Sequence, residues 1–344
     1  MQFGQFFSHD ITGNNFDNFC ACNSVHENLV SVSLARDDPK TPQLLLPCIP
    51  ITRSIPIYER DGVPREQMNR HTSHIDTSMM HGSTDPDMKR LKNGHLLKTQ
   101  LVNGREFPPL SIADQFDGMS TGESNINSLL PSYTGYRQDV DSSNSNKFAA
   151  TAFRLHRMIS AFFETRRIEK QVTEKLFDAT ADLASVNIVR GRDHGLRSYN
   201  EFRRMCQLAL ITNFREWNEG SNETVKSKVA ELHKNPENID LYLGGITEET
   251  LIGSMVGPTF ACTISEQFKR LHDSDRFYFE NKETFKTRQT RSIQDMSLAS
   301  IICMTGDNYG RIPRNAFKTD KSENAVSCDD ISKLDYELWR SIKV

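Results

Sequence analysis

The sequence predicts a mainly α-helical fold threaded by long loops. Three observations carry this. From residue 147 onward, apolar residues recur at steps of three and four. Residues 11–70 and 109–147 are rich in Asn, Ser, Pro, Gly or Arg and show little periodicity, which reads as irregular structure. No stretch shows sustained two-residue alternation bounded by hairpin signals.

The elements follow in order. Phe148, Thr151, Ala152, Leu155, Ile159, Phe162 and Phe163 mark a first strong helix. A second is expected over Ile168–Val186, with Val172, Leu176, Ala179 and Leu183 on one face. A third is expected over Tyr199–Ile211, carrying Phe202, Met205 and Leu208. Leu251–Leu271 holds a long helical pattern interrupted near Gly257-Pro258, where proline can open a helix. There is no internal repeat.

The chain has 344 residues, enough for one large domain or two average ones. Lys and Arg number 42 against 45 Asp and Glu, a formal net charge of −3. That near-balance argues against a nucleic-acid partner held by bulk charge. Hydrophobic residues at 37% can build a core. The longest apolar-rich stretch, Leu44–Ile51, is broken by two prolines and is far short of the roughly 18 apolar residues of a spanning helix. The opening MQFGQFFSHD lacks the basic start and apolar run of a secretory leader. It reads either as a cytosolic start or as a chain that begins inside a domain. The seven cysteines, at 20, 22, 48, 206, 262, 303 and 328, form no CxxC pair, and their scatter suits buried thiols or long-range disulfides. Asn222-Glu223-Thr224 is a glycosylation sequon.

Three groups of residues could carry chemistry. Gln5 and His9 are four apart and share a face if the segment is helical, with Asp10 rotated about 100° from His9. Alone, the group reads as a capping or surface histidine beside a solvated aspartate. In Thr72-Ser73-His74-Ile75-Asp76-Thr77-Ser78, oxygen donors fall at 72, 76 and 78 with a carbonyl at 74, and alternate residues of an extended loop can wrap calcium. The same residues can satisfy their own turn. His156 sits on the first helix, where it is core or ligand. The segment Asn187–Gly195 follows a helix and is dense in charge, with Arg192, Asp193 and His194 read as structural.

Further motifs join these. FGQFFSHDIT, TSHIDTSMMHGS, GHLLKTQLVNGREF, LLPSYTGYRQDVD, FAATAFRLH, VNIVRGRDHGLRSYNEFRRMC, IDLYLGG, VGPTFACTISEQFKRLHDSDRFYFEN and the IIC at 301–303 run in one order along nearly the whole chain. In that order the sequence resembles the animal haem peroxidases, invertebrate extracellular members above all. The resemblance implies a single helical peroxidase domain over 1–344, incomplete: its N-terminal start and an internal segment near 108–128 are missing. It implies haem b and calcium as cofactors, hydrogen peroxide and a small reducing donor (phenolic or anionic) as substrates, and a secreted protein. Extracellular-matrix or eggshell proteins are the implied macromolecular partners, oxidative stress is the implied context, and no nucleic acid is expected.

Roles carry over by motif. His9 matches the distal histidine and Gln5 the distal glutamine. Asp10, Thr72, His74 through its carbonyl, Asp76 and Ser78 match the calcium site. His156 matches the proximal iron ligand, Asn187 the acceptor of that histidine's second N–H, and Arg190 the partner of a haem propionate. Cys206 with Cys262, and Cys303 with Cys328, match family disulfides, and Cys48 is expected to pair with Cys20 or Cys22. The physics suits these roles. A proximal imidazole is oriented by the hydrogen bond from its other nitrogen. A distal imidazole can move a proton between the two peroxide oxygens. An arginine fork matches a carboxylate.

The sequence also departs from the family. Ser8 stands where an ester-forming aspartate is usual, so that covalent haem link is lost. FRLH has one residue between Arg154 and His156 where the family has two. Only Pro108–Ser128 fills the gap that in relatives holds a catalytic arginine and a second ester-forming glutamate. Thr121 falls where the arginine would be, and Glu123 at most mimics the glutamate. Losing one such preorganised donor commonly costs on the order of a hundredfold in rate. The alternative reading is therefore an impaired or inactive peroxidase fold with a structural, calcium-binding extracellular role.

Overall fold

The computed structural model describes residues 29–38, 48–54, 136–141, 182–217, 223–254, 256–306, 309–317 and 325–340, and the backbone of four short strands between 92 and 107. Strand β1 (Leu29–Ser33) pairs antiparallel with β2 (Cys48–Thr52), Leu29 facing Thr52 and Ser33 facing Cys48. This hairpin corrects the expectation that 11–70 is irregular. LVSVS does alternate, but five residues joined to their partner by a long connection give no tight-turn signal. Cys48, Ile49 and Ile51 are buried on β2. Two further antiparallel ladders join β3 (Lys92–Asn93) to β4 (Leu96–Leu97), and β5 (Gln100–Val102) to β6 (Arg105–Phe107).

Helix α1 spans Leu183–Asp193. Asp182, in extended backbone, caps it by accepting from the Ser185 amide at 3.1 Å. The helix expected to run unbroken to Val186 is thus interrupted at Asp182, whose side chain offers the backbone a helix start instead. In turn, the charged segment expected after a helix lies inside one as far as Asp193. Arg190 and Arg192 fall in its last turn, where cations suit the carbonyl end. Gly195, at φ 64°, turns the chain away just beyond.

Helix α2 (Tyr199–Met205) is shorter than the expected Tyr199–Ile211. Gln207 takes a positive φ of 57°, and the Arg203 side chain donates to the Ala209 carbonyl at 2.6 Å, folding the chain back. Met205, expected on the apolar face, is half-exposed. Helices α3 (Glu223–His233) and α4 (Leu241–Thr247) follow. Helix α5 runs over Pro258–Ser274 with proline in its first turn. The residues before it, expected to be helical from 251, instead make a turn at Leu251–Ser254, with Gly253 at φ 73°. Helices α6 (Thr287–Gln294) and α7 (Leu298–Thr305) lead to β7 (Arg311–Pro313), paired with β8 (Ala325–Ser327).

One core joins α2, α4 and α5 around Tyr199, Phe202, Trp217, Ile239, Ile246 and Phe260. Gly244 and Gly245 let α4 lie against the rings of Tyr199 and Phe260, since a Cβ at either would collide with those rings. A smaller core gathers Ala299, Ile312, Cys328 and Ile331. Cys206 is bonded to Cys262, and Cys303 to Cys328, as expected. Cys48 is also disulfide-bonded, to a partner outside the described residues.

Candidate functional site

Two buried polar clusters lie on or beside α1. The first runs from the middle of α1 to its C-terminal end. Asn187 is fully buried, yet neither its Oδ1 nor its Nδ2 has a hydrogen-bond partner. Such a group is uncommon and costs about 1–3 kcal/mol of unreturned desolvation. Arg190 is three residues on, so it shares a face of the helix with Asn187. Its guanidinium is almost wholly buried, and burial holds its pKa below the usual value while Asp193 opposes that shift. Arg190 Nη1 donates to Ser54 Oγ at 3.1 Å and lies 3.5 Å from Asp193 Oδ2. Asp193, buried as well, accepts from Arg53 Nε at 2.6 Å and from the Ser54 amide at 3.1 Å.

Ser54 Oγ also lies 2.9 Å from Nε2 of buried His194. Because arginine can only donate, Ser54 Oγ is the acceptor toward Arg190. Its own proton is then available to His194 Nε2. One hydroxyl therefore links a guanidinium and an imidazole that the helix places four residues apart.

The second cluster lies between α2, α4 and α5. Glu248, at 1% exposure, accepts from Tyr199 Oη, from Arg203 Nη1 at 3.0 Å, and from Thr259 through its amide at 3.0 Å and its hydroxyl at 2.5 Å. Burial pushes the Glu248 carboxyl up, while Thr259, Tyr199 and Arg203 pull it down. Burial, with Glu248 close by, also pushes the Tyr199 phenol up. Every oxygen of Glu248 has a donor, so the cluster reads as an internal clamp.

Of the residues singled out in the sequence, Asn187 and Arg190 come together on one buried face. Gln5, His9, Asp10, Thr72, His74, Asp76, Ser78 and His156 lie outside the described residues. Arg192 forms a two-point pair with Asp240 at the start of α4, at 2.9 and 2.7 Å. Sequence reasoning did not find Arg53 and Ser54, which meet α1 across about 140 positions of chain. No local pattern marks such a contact. Glu248 was equally hidden in a segment with no motif around it.

The chain is similar to known proteins over most of its length. A family model described as animal haem peroxidase matches residues 1–126 and 164–317. Peroxidase skpo-1 of Caenorhabditis elegans is 33% identical, over 99% of this chain and 67% of its own length. That alignment runs over 446 positions against 344 residues here, so internal stretches of the relative have no counterpart in this chain. Peroxidase mlt-7 of the same nematode is 27% identical over 99% of this chain and 64% of its own. The chain thus spans about two thirds of the length of these relatives. Mouse thyroid peroxidase is 42% identical over half of this chain and 20% of its own. Among solved structures, peroxidase A from Dictyostelium discoideum superposes with a TM-score of 0.71 at 20% identity, covering 92% of this chain and 85% of that one. A fatty acid alpha-dioxygenase from Arabidopsis thaliana shares the fold more loosely, with a TM-score of 0.55 at 13% identity.

Proposed function

The chain belongs to the animal haem peroxidase family, and on that footing we propose that it is an extracellular haem peroxidase. It would reduce hydrogen peroxide to two waters while two phenolic donors each lose one electron and one proton, or while a small anion is oxidised. Bound haem b would supply the redox-active iron. The observation that carries the reading is the Asn187 carboxamide, buried and unpartnered on the face that also bears Arg190. An orphan acceptor on the buried face of a helix is what a proximal imidazole N–H needs, and it suits the expected roles of His156 and Asn187. Arg190 would meet a propionate. It is charged at any working pH and held by Ser54 and Asp193, so it is oriented before a ligand arrives.

On the distal side, His9 would shuttle the peroxide proton and Gln5 would order the peroxide beside it. Asp10, with Thr72, the His74 carbonyl, Asp76 and Ser78, would hold calcium and so fix the segment bearing His9. Two disulfides among the described residues, with Cys48 in a third, support an oxidising compartment. So does the sequon at Asn222.

A second reading is supported by the 446-position alignment and by Thr121 at the place of the catalytic arginine. In it, the fold persists as a calcium-stabilised extracellular protein with impaired turnover. Titration with haemin separates the two. A Soret band that shifts on adding peroxide, and that no longer shifts in His9→Ala although haem is retained, is expected of the enzyme. Failure of the wild-type chain to take up haemin would refute it.

A further inference from the structure

We propose that Ser54 is a positioning residue for Arg190, setting the direction in which its guanidinium is offered to a carboxylate of the bound cofactor. The inference rests on the haem reading above. Ser54 makes two separable contacts with α1. Its backbone amide donates to Asp193, at 3.1 Å, and so helps fasten the end of the β2 segment to the helix. Its hydroxyl does something different: it accepts from Arg190 Nη1 at 3.1 Å and reaches His194 Nε2 at 2.9 Å.

The Arg190 side chain has several rotatable bonds, and Asp193, three residues along the same helix, touches it only at 3.5 Å. A carboxylate at that distance attracts a guanidinium without fixing the plane of its fork. The hydroxyl adds a short, directional contact from a second element. His194 in turn holds the hydroxyl, because the serine proton has one acceptor at hydrogen-bond distance once Arg190 occupies the oxygen. Donation from the hydroxyl to Nε2 goes with the tautomer that carries its proton on Nδ1. Ser54 and Asp193 thus meet the same nitrogen, Arg190 Nη1, from two different elements, with His194 behind the serine hydroxyl. Planar, two-point recognition of a carboxylate is the task in which arginine orientation counts most.

The two contacts of Ser54 make a clean test possible. Ser54→Ala removes the hydroxyl and keeps the amide bond to Asp193, while Ser54→Thr keeps both. The full-length chain is titrated with haemin and, separately, with haemin dimethyl ester, whose propionates carry no charge. Ser54→Ala is expected to weaken haemin binding about tenfold. It should leave binding of the ester within twofold, and Ser54→Thr should restore haemin affinity. Equal losses with haemin and with the ester would overturn the assignment, since a merely structural role weakens both. Unchanged haemin affinity in Ser54→Ala would overturn it too. If the wild-type chain takes up neither ligand, the haem reading falls and this inference falls with it. If the wild-type chain binds haemin but Ser54→Ala shows no loss specific to haemin, the positioning role alone falls.

Discussion

The Asn187 and Glu248 clusters are both buried, both polar and both close to α1 or the helix after it, yet they differ in one respect. Both oxygens of Glu248 have donors: a phenol, a guanidinium and a hydroxyl on Oε1 and a backbone amide on Oε2. Asn187 has neither donor nor acceptor met. A satisfied network stabilises the fold that contains it. An unsatisfied amide at full burial costs stability, and such a group in a native fold calls for a reason. The contrast is one of packing: one cluster is closed on itself and the other is not.

The largest effect should come from breaking the clamp. Glu248→Ala leaves Arg203 charged inside the protein and strips Tyr199 and Thr259 of their acceptor. Urea unfolding should show a loss of about 3–5 kcal/mol. A loss below about 1 kcal/mol would put Glu248 and Asn187 in the same class and break the comparison. The opposite sign is expected at the other cluster. Asn187→Leu removes two orphan polar atoms at similar volume, so the haem-free chain should gain about 1 kcal/mol. With haem bound, the same substitution should shift the reduction potential, because the acceptor for the proximal imidazole is gone. Destabilisation of the haem-free chain by Asn187→Leu would show that the carboxamide already has an internal duty.

The smallest effect concerns His272, whose ring packs edge-on against Tyr278 at 4.1 Å. Burial holds its pKa below 6.5, against the pull of Asp273. The unfolded chain therefore takes up the proton first as pH falls through 6.5, so the contribution of this group to stability is present above 6.5 and declines below it until the folded ring also titrates. His272→Gln should flatten that part of a stability-against-pH curve. An identical slope in the variant would show that other groups set it.

How much of this could be read beforehand follows from the range of each interaction. Helix α5 was legible because its start is a local signal, Gly257 followed by Pro258, and its apolar periodicity is long. The ends of α1 and α2 were not, because single residues decide them: Asp182 reaching the Ser185 amide, and Gln207 adopting a positive φ. The pairings of Cys206 with Cys262 and Cys303 with Cys328 came from the family resemblance, not from spacing. Asn187 and Arg190 could be named, again by resemblance. Their burial and the missing partners of Asn187 depend on tertiary packing. Ser54 could not be named at all, since nothing near it in the chain distinguishes it from the many other serines.

The bond between Cys206 and Cys262 encloses α3, α4 and the turn at Leu251–Ser254, whose Ile252 is fully exposed. A protease is most apt to cut at such a projecting turn. Cleavage there would leave two polypeptides that still migrate as a single species, because the sulfur link spans the cut, and only added thiol would part them. Wherever reductants are scarce, the two pieces would stay joined across the severed backbone.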